Sequence, residues 1–227
     1  MVFSRGSALP SRENDLSAFQ REILARLFER ERDFFLTGGA ALVGYYLHHR
    51  LTDDLDLFTV DATAFARAPR VLAEVALAAG ARVEVRQDSP SFRRSALVRG
   101  DDLVVVDMVL ERVPQWHARK NEIDNVLLDA ADEILANKLT ALVGRMEERD
   151  IVDVFFLEKA GYRTEDALAP ALEKDGGCTP ATLAWLLSEL QIPDDAVLPA
   201  ALSPASLRAF IDGMIVRLRR VAMPAER

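Results

Sequence analysis

A strand, a glycine pair, a helix and a second strand follow one another closely in the first third of this chain. Residues 34–37 form a short apolar run that predicts a strand, and Gly38-Gly39 ends it. Residues 40–49 have a helical pattern, and residues 55–58 have the pattern of a second strand. Two strands joined in this way require a shared sheet, so this part of the chain is predicted to be α/β.

Strand patterns continue to about residue 125 and then stop. The clearest is SFRRSALV, RGDD and LVVVDMVL, which predicts a β-hairpin around Gly100. The predicted helices are 15–33 with Asp15 as cap, 62–79 with a break at Pro69, 129–145 with Asp129 as cap, 147–160, 180–190 and 204–221; a further strand is predicted at 82–86. The expected fold class is α/β (α+β), with an α/β domain over 1–125 and a helical domain over 126–227.

The net charge of −8 argues against broad non-specific binding of nucleic acid, which needs an excess of basic residues. Arg93, Arg94, Arg99, Arg119 and Lys120 are candidates for a local basic rim. The single cysteine forms no intrachain disulfide, and no apolar run is long enough to cross a bilayer. We therefore expect a globular protein of the cytoplasm with no membrane partner.

Asp54 and Asp56 alternate with leucines on the second strand, so both carboxylates point to the same face. Two like charges held so close repel, and a hard cation such as Mg²⁺ would stabilise them. The alternative is that both face solvent at the end of a strand. Asp107 interrupts an apolar strand and makes a third candidate ligand, the alternative being a salt bridge to Arg93 or Arg94 across the hairpin.

The glycine pair adds a candidate phosphate site to these carboxylates. Glycines between a strand and a helix let a phosphate approach the backbone N–H groups at the helix start. No GK[ST] follows, so this is not a Walker A loop, and a simple turn is the alternative.

Two residues of the helical half are candidates for the same site. Lys138 lies beside an apolar stripe of its helix, which directs its ammonium toward the domain junction unless it reaches the surface. Asp153 lies in IVDVFFL, where apolar residues nearly surround the helix, so it needs a cation or donors. An ion pair with Arg145 or Arg149 is the structural alternative to a direct role in the site.

Taken together, these motifs resemble the DNA polymerase β-type nucleotidyltransferase superfamily. More narrowly, LTGGAALVGYYLHHRLTDDLDLF resembles the first motif of the AbiEii/AbiGii toxin family, and DEILANKLTALVGRMEERDIVDVFFL resembles its later block. The resemblance covers about residues 34–160, with Thr52 standing where the family often has serine. It implies a small mixed-sheet nucleotidyltransferase domain, followed by a helical domain that completes the nucleotide and acceptor site.

The resemblance also implies roles for individual residues. Asp54, Asp56 and Asp107 would hold Mg²⁺ or Mn²⁺, and Thr37, Gly38 and Gly39 would surround the phosphates of a nucleoside triphosphate (NTP). Lys138 would contact the nucleotide, and the residues that would complete the site are Arg149, Asp150 and Asp153. Arg50 is a candidate for orienting the metal-binding strand.

The implied activity is transfer of a nucleoside monophosphate to RNA such as tRNA, or to protein, by a toxin paired with a cognate antitoxin. One alternative is a binding module for nucleotide or a partner protein that has the same fold without turnover. Another is an aminoglycoside-type transferase that acts on a small molecule. The sequence does not decide the NTP, the acceptor, the oligomeric state or the role of the helices after about residue 160.

Overall fold

The computed structural model describes residues 15–223; the polar residues 1–14 and residues 224–227 lie outside this range. A seven-stranded mixed sheet has the strand order β3-β4-β5-β2-β1-β7-β6. The strands are β1 (Phe35–Thr37), β2 (Asp54–Thr59), β3 (Arg82–Asp88), β4 (Phe92–Arg99), β5 (Asp102–Leu110), β6 (Asn121–Ile123) and β7 (Val126–Leu128). The α/β class and the hairpin of β4 and β5 are confirmed.

Residues 15–223 contain eight α-helices and no helix long and apolar enough to cross a membrane. The helices are α1 (Ala18–Phe28), α2 (Gly38–Ala41), α3 (Ala62–Ala78), α4 (Ala131–Gly144), α5 (Glu148–Lys159), α6 (Thr164–Lys174), α7 (Pro180–Glu189) and α8 (Pro204–Ala222). Helix α6 was not predicted. Its sequence has proline at position 170, which weakens the helical pattern without preventing the helix.

Two parallel central strands set the geometry of the site. Strand β2 pairs in parallel with β5, with Asp56 opposite Asp107. On its other side β2 pairs antiparallel with β1, with Thr37 opposite Asp56. Leu55 and Leu57 point to the opposite face of β2 and are fully buried. Buried leucines therefore fix the register that brings the aspartates together.

The first helix is shorter than predicted, and a different residue caps it. The Ser17 hydroxyl, not Asp15, accepts the hydrogen bond from Gln20 N–H, and the Gln20 side-chain oxygen accepts one from Ser17 N–H. This is a capping box, which satisfies two backbone donors at once. The helix ends at Phe28, whereas the sequence predicted an end near Asp33.

Helix α3 continues through Pro69, where a break was predicted. Proline has no N–H to donate to the carbonyl four residues earlier, which here belongs to Phe65. The Arg93 guanidinium, from β4, donates to that carbonyl instead. A long-range contact thus replaces the missing helical hydrogen bond.

The helix predicted over residues 40–49 begins at Gly38 and changes character after Ala41. Leu42–Leu47 is π-helical, and His48 ends the segment in the left-handed conformation with φ of 49°. A π-helix is wider than an α-helix and is frequent at functional sites. Here it directs the residues that follow, His49 and Arg50, back toward the helical half of the chain.

The short strands β6 and β7 were not predicted, and they change the start of α4. Ala130 occupies the cap position, and Asp129 makes no cap bond. Asp129 instead accepts from the Lys120 ammonium at 2.6 Å. Between β7 and the last described residue, Met223, helices are the only regular elements, and α4 packs against α5, α6 and α7.

Candidate active site

Three carboxylates from neighbouring strands meet at one point on the sheet. Asp54 and Asp56 lie on β2, and Asp107 lies on β5. One oxygen from each lies within 4.8 Å of the others. The structure thus brings together the three predicted metal ligands. A set of carboxylate oxygens at this spacing suits a hard divalent cation such as Mg²⁺ or Mn²⁺.

Asp56 is the residue on which this crowding acts most strongly. Burial and the neighbouring charges of Asp54 and Asp107 together raise the pKa of Asp56 to about 7, against the opposing effect of Lys138 and Arg149. A bound cation would offset both the cost of burying the Asp56 charge and its repulsion by Asp54 and Asp107. The electrostatics of the cluster therefore fit a metal site.

The glycine pair lies directly beside these carboxylates. Gly38 has φ of 61°, and a Cβ placed on it would collide with the Asp56 carboxylate. A Cβ on Gly39 would collide with the Arg50 guanidinium. Both positions therefore require glycine for close approach, and the backbone at the start of α2 is open to a ligand.

Thr52 and Arg50 organise the entry to β2. The Thr52 hydroxyl donates to Asp54 Oδ1 at 3.0 Å, which a serine in the same place would also do. Arg50 donates through Nε and Nη2 to Asp153 at 2.7 and 2.9 Å. Arg50 is thereby fixed between the glycine pair and helix α5.

Asp107 is already engaged by a cation of the protein. Arg94, opposite it on β4, donates to both carboxylate oxygens at 2.8 and 2.6 Å. The salt bridge considered from the sequence is therefore present, with Arg94 and not Arg93 as partner. Asp107 therefore belongs both to this salt bridge and to the carboxylate cluster, so Arg94 and a bound metal ion would use the same carboxylate.

Asp153 is completely buried and lies outside the cavity that the carboxylates line. Its carboxylate contacts three side chains: His49 through Nε2 at 2.7 Å, Arg50, and Lys138 through Nζ at 2.7 Å. The sequence suggested Arg145 or Arg149 as its partner, which is wrong because the π-helical segment directs Arg50 to it instead. Burial alone would raise the pKa of Asp153, but Lys138, Arg50 and His49 hold it well below its usual range.

Lys138 is buried and pointed toward the junction of the two halves, as predicted. Its ammonium lies between Asp150 at 2.8 Å and Asp153. Burial alone would lower the pKa of Lys138, but Asp153 and Asp150 more than offset this effect and the pKa is raised. The side chain of Lys138 is therefore kept protonated. Arg145 also binds Asp150, through Nε at 2.8 Å. Asp150, like Asp153, lies behind Lys138 and does not line the cavity.

The carboxylate cluster, the glycine pair and Lys138 line one cavity of about 540 Å³, a size typical of small-ligand sites. Thr37, Gly38, Gly39, Lys138 and Arg149 line it together with the three aspartates. Arg149 is half-exposed and pairs with Glu147 at 2.5 Å. The Thr37 hydroxyl is buried without a hydrogen-bond partner among residues 15–223.

Most of the predicted basic rim is neutralised within the protein. Arg93 pairs with Asp88, Arg94 with Asp107, Arg99 with Glu22 and Lys120 with Asp129. Only Arg94 of the five lines the cavity. The expected basic rim is therefore not a continuous free surface among the described residues, because each of these four cations faces a carboxylate.

Several cavity residues were not named from the sequence. Phe58 shares the cavity face of β2 with the two aspartates, which the alternation of side chains along a strand could have indicated. Asn137 and Thr140 line the cavity from α4. Their role could not be found in the sequence, because it depends on which side of α4 faces the sheet.

Comparison with known proteins agrees with this geometry. The model of the family described as nucleotidyl transferase AbiEii toxin, type IV toxin–antitoxin system, matches residues 22–222. The chain belongs to the AbiEii nucleotidyltransferase toxin family. This AbiEii-family chain is thus a nucleotidyltransferase-family toxin component of a type IV toxin–antitoxin system. The match extends past residue 160, beyond the predicted resemblance.

Solved structures show the same fold for this AbiEii-family chain. A candidate nucleotidyltransferase from H. pylori is 18% identical, with a TM-score of 0.55 over 91% of this chain and 96% of that chain. JHP933 from Helicobacter pylori is 20% identical, with a TM-score of 0.54 over 90% of this chain and 92% of that chain. No curated protein matches the sequence significantly.

Proposed function

We propose that this protein transfers a nucleoside monophosphate from an NTP to a hydroxyl of RNA such as tRNA, or of a protein, and releases pyrophosphate. The observation that supports this most directly is the cluster of Asp54, Asp56 and Asp107 beside the open backbone of Gly38. Asp54, Asp56 and Asp107 would hold Mg²⁺ or Mn²⁺. When bound, the cation would neutralise phosphate charge and align the reacting oxygens.

The other residues would bind and orient the reactants. The backbone N–H groups of Gly38 and Gly39, which follow Thr37 at the start of α2, would bind the phosphates. Lys138, fixed by Asp150 and Asp153, and Arg149 would neutralise the triphosphate. In this assignment Asp153 is a positioning residue, since it acts through Lys138.

The transfer itself would be a displacement at phosphorus. The acceptor oxygen forms a bond to the α-phosphorus while the bond from that atom to the oxygen bridging the α- and β-phosphates breaks. The electron pair of the broken bond leaves with pyrophosphate. Asp107, on the neighbouring strand, or a downstream carboxylate would accept the hydroxyl proton. The description of the family as part of a type IV toxin–antitoxin system supports pairing with a cognate antitoxin, and the proposed use of an NTP would place the reaction in the cytoplasm.

A labelling experiment tests the proposal. The purified protein is incubated with each α-³²P-NTP, Mg²⁺ or Mn²⁺, and total tRNA or cell extract. We expect label in an RNA or protein product with the native chain and none with Asp54→Asn. Asp53→Asn is the matched control, because Asp53 is the exposed neighbour outside the cavity. Label absent with every NTP and metal, or retained in Asp54→Asn, would overturn the proposal.

A further inference from the structure

The cavity has walls of two chemical kinds. The cations that line it are Arg50, Arg94, Lys138, Arg145, Arg149 and Lys174. The cavity also has uncharged lining residues, which come from β2, the segment after β5, and α4 and are bordered by the charged residues Glu111, Lys174 and Asp175. This uncharged wall consists of Phe58, Val113, Ile134, Asn137 and Thr140. Cations suit phosphates, whereas an apolar wall with a few polar groups suits an uncharged ring.

The fold builds the uncharged wall next to the carboxylates. Phe58 follows Asp56 on the same face of β2, about 7 Å farther along the strand. Ile134, Asn137 and Thr140 recur at intervals of three and therefore lie on one side of α4. A ligand with its phosphates at Gly38 and Lys138 would extend directly over this wall.

Charged groups bordering the uncharged wall already have partners. Lys174 pairs with the buried Glu133 at 2.5 Å, and Glu133 also accepts the His117 N–H at 2.7 Å. Glu111 accepts backbone N–H groups of the residues that follow it, and Asp175 accepts Gly177 N–H. These charged side chains therefore already have partners within the protein.

Asn137 differs from these neighbours. Its half-buried side-chain carboxamide makes no hydrogen bond to any of residues 15–223. The backbone carbonyl of Asn137 accepts a hydrogen bond from the Thr140 hydroxyl at 2.8 Å. A carboxamide offers two donor hydrogens and an acceptor oxygen. Such a side chain, left unpaired inside a ligand cavity, is suited to a ligand with donors and acceptors along one edge.

We propose that the uncharged wall receives the nucleobase of the NTP, and that Asn137 determines which base is preferred. The proposal rests on the proposed function and deepens it. The Phe58 ring offers a surface on which a base can stack. The Asn137 carboxamide can pair with a donor and an acceptor that are adjacent on the edge of a base, as amide side chains do with bases elsewhere.

The test measures equilibrium binding without any acceptor. ATP, GTP, CTP, UTP and inorganic triphosphate are titrated separately into the full chain with Mn²⁺. Native protein is expected to bind one NTP more tightly than the others and more tightly than inorganic triphosphate. Asn137→Ala should weaken binding of the preferred NTP about 10-fold to 100-fold and leave inorganic triphosphate unchanged. Asn137→Asp keeps the shape, replaces the donors with an acceptor, and should lose the same preference.

Arg149→Ala is the matched control, because its loss should weaken all four NTPs and inorganic triphosphate alike. The inference fails if the native chain binds the four NTPs equally, or if Asn137→Ala weakens all ligands equally or none. Native protein that binds neither NTP nor inorganic triphosphate would instead overturn the proposed function. Thermal unfolding of both Asn137 variants establishes that they are folded.

Discussion

At the scale of single residues, the Arg94–Asp107 pair raises a competition between cations. Arg94 holds both oxygens of a carboxylate that also belongs to the metal cluster. A divalent ion entering the cluster would have to share or displace this guanidinium. The arginine therefore stabilises the buried Asp107 and at the same time opposes metal binding.

Replacing Arg94 should strengthen metal binding. Arg94→Ala removes a positive charge and frees both Asp107 oxygens, so we expect Mn²⁺ affinity measured by calorimetry to rise several-fold, on the order of 1 kcal/mol. Arg86→Ala is the control, because Arg86 is exposed on β3 and pairs with Glu84. Affinity that falls in Arg94→Ala would show that Arg94 supports the site instead of competing for it.

Asp56 predicts a pH dependence of metal binding. A pKa of about 7 means that the carboxyl is mainly protonated at pH 6 and mainly ionised at pH 8. The metal binds the ionised form, so its apparent affinity should rise about tenfold from pH 6 to pH 8. Titration of Mn²⁺ at the two pH values measures this, and Asp53→Asn should retain the same dependence. Constant or falling affinity over this interval would contradict the raised pKa.

At the scale of elements, the junction of β1 and α2 depends on Gly38. Its φ of 61° disfavours a side chain, and a Cβ would displace Asp56. The helix that starts here is short and continues into π-helical turns. Its geometry therefore depends on the fit between this backbone and the aspartates of β2.

Substitution of Gly38 should affect stability and binding together. Gly38→Ala is expected to lower the free energy of unfolding by about 1–3 kcal/mol, and to abolish NTP transfer because Asp56 moves. Gly213→Ala is the control, since Gly213 lies inside α8 with nothing near the added methyl, and it should be neutral or stabilising by about 1 kcal/mol. Urea denaturation and the labelling assay measure the two effects. Full activity in Gly38→Ala would refute the close approach.

At the scale of the whole molecule, Asp153 ties the sheet to the helices. His49 and Arg50 come from the segment before β2, whereas Lys138 belongs to α4 and Asp153 to α5. All of these bonds converge on one fully buried carboxylate. Loss of its charge would leave buried cations without a partner.

Asp153 should therefore contribute to stability in a pH-dependent way. We expect Asp153→Asn to lower the free energy of unfolding by about 3–5 kcal/mol at pH 7, whereas Glu148→Gln, an exposed position of α5, changes it by less than about 0.5 kcal/mol. Because the folded pKa of Asp153 is lowered, its contribution is complete above the unfolded value of about 4 and declines as pH falls below it. Urea denaturation at pH 7 and pH 3 should show the native and Asp153→Asn proteins approaching each other in stability. An equal difference at both pH values would exclude this role of the charge.

The sequence by itself determined the elements whose signals are local. Alternating leucines and aspartates fix the strand β2 and the face of Asp54 and Asp56, and the runs around Gly100 fix the hairpin that carries Asp107. Because these patterns involve neighbours in the chain, the α/β class and the family could be predicted.

Only the tertiary structure decided which distant groups meet. Arg50 reaches Asp153, Arg94 and not Arg93 reaches Asp107, and Arg93 supplies the hydrogen bond that Pro69 lacks. Which side of α4 faces the sheet determines that Asn137 lines the cavity while Asp150 lies behind Lys138. These outcomes depend on packing across the chain, and a buried charge takes whichever partner the fold brings within reach, so no local pattern specifies it.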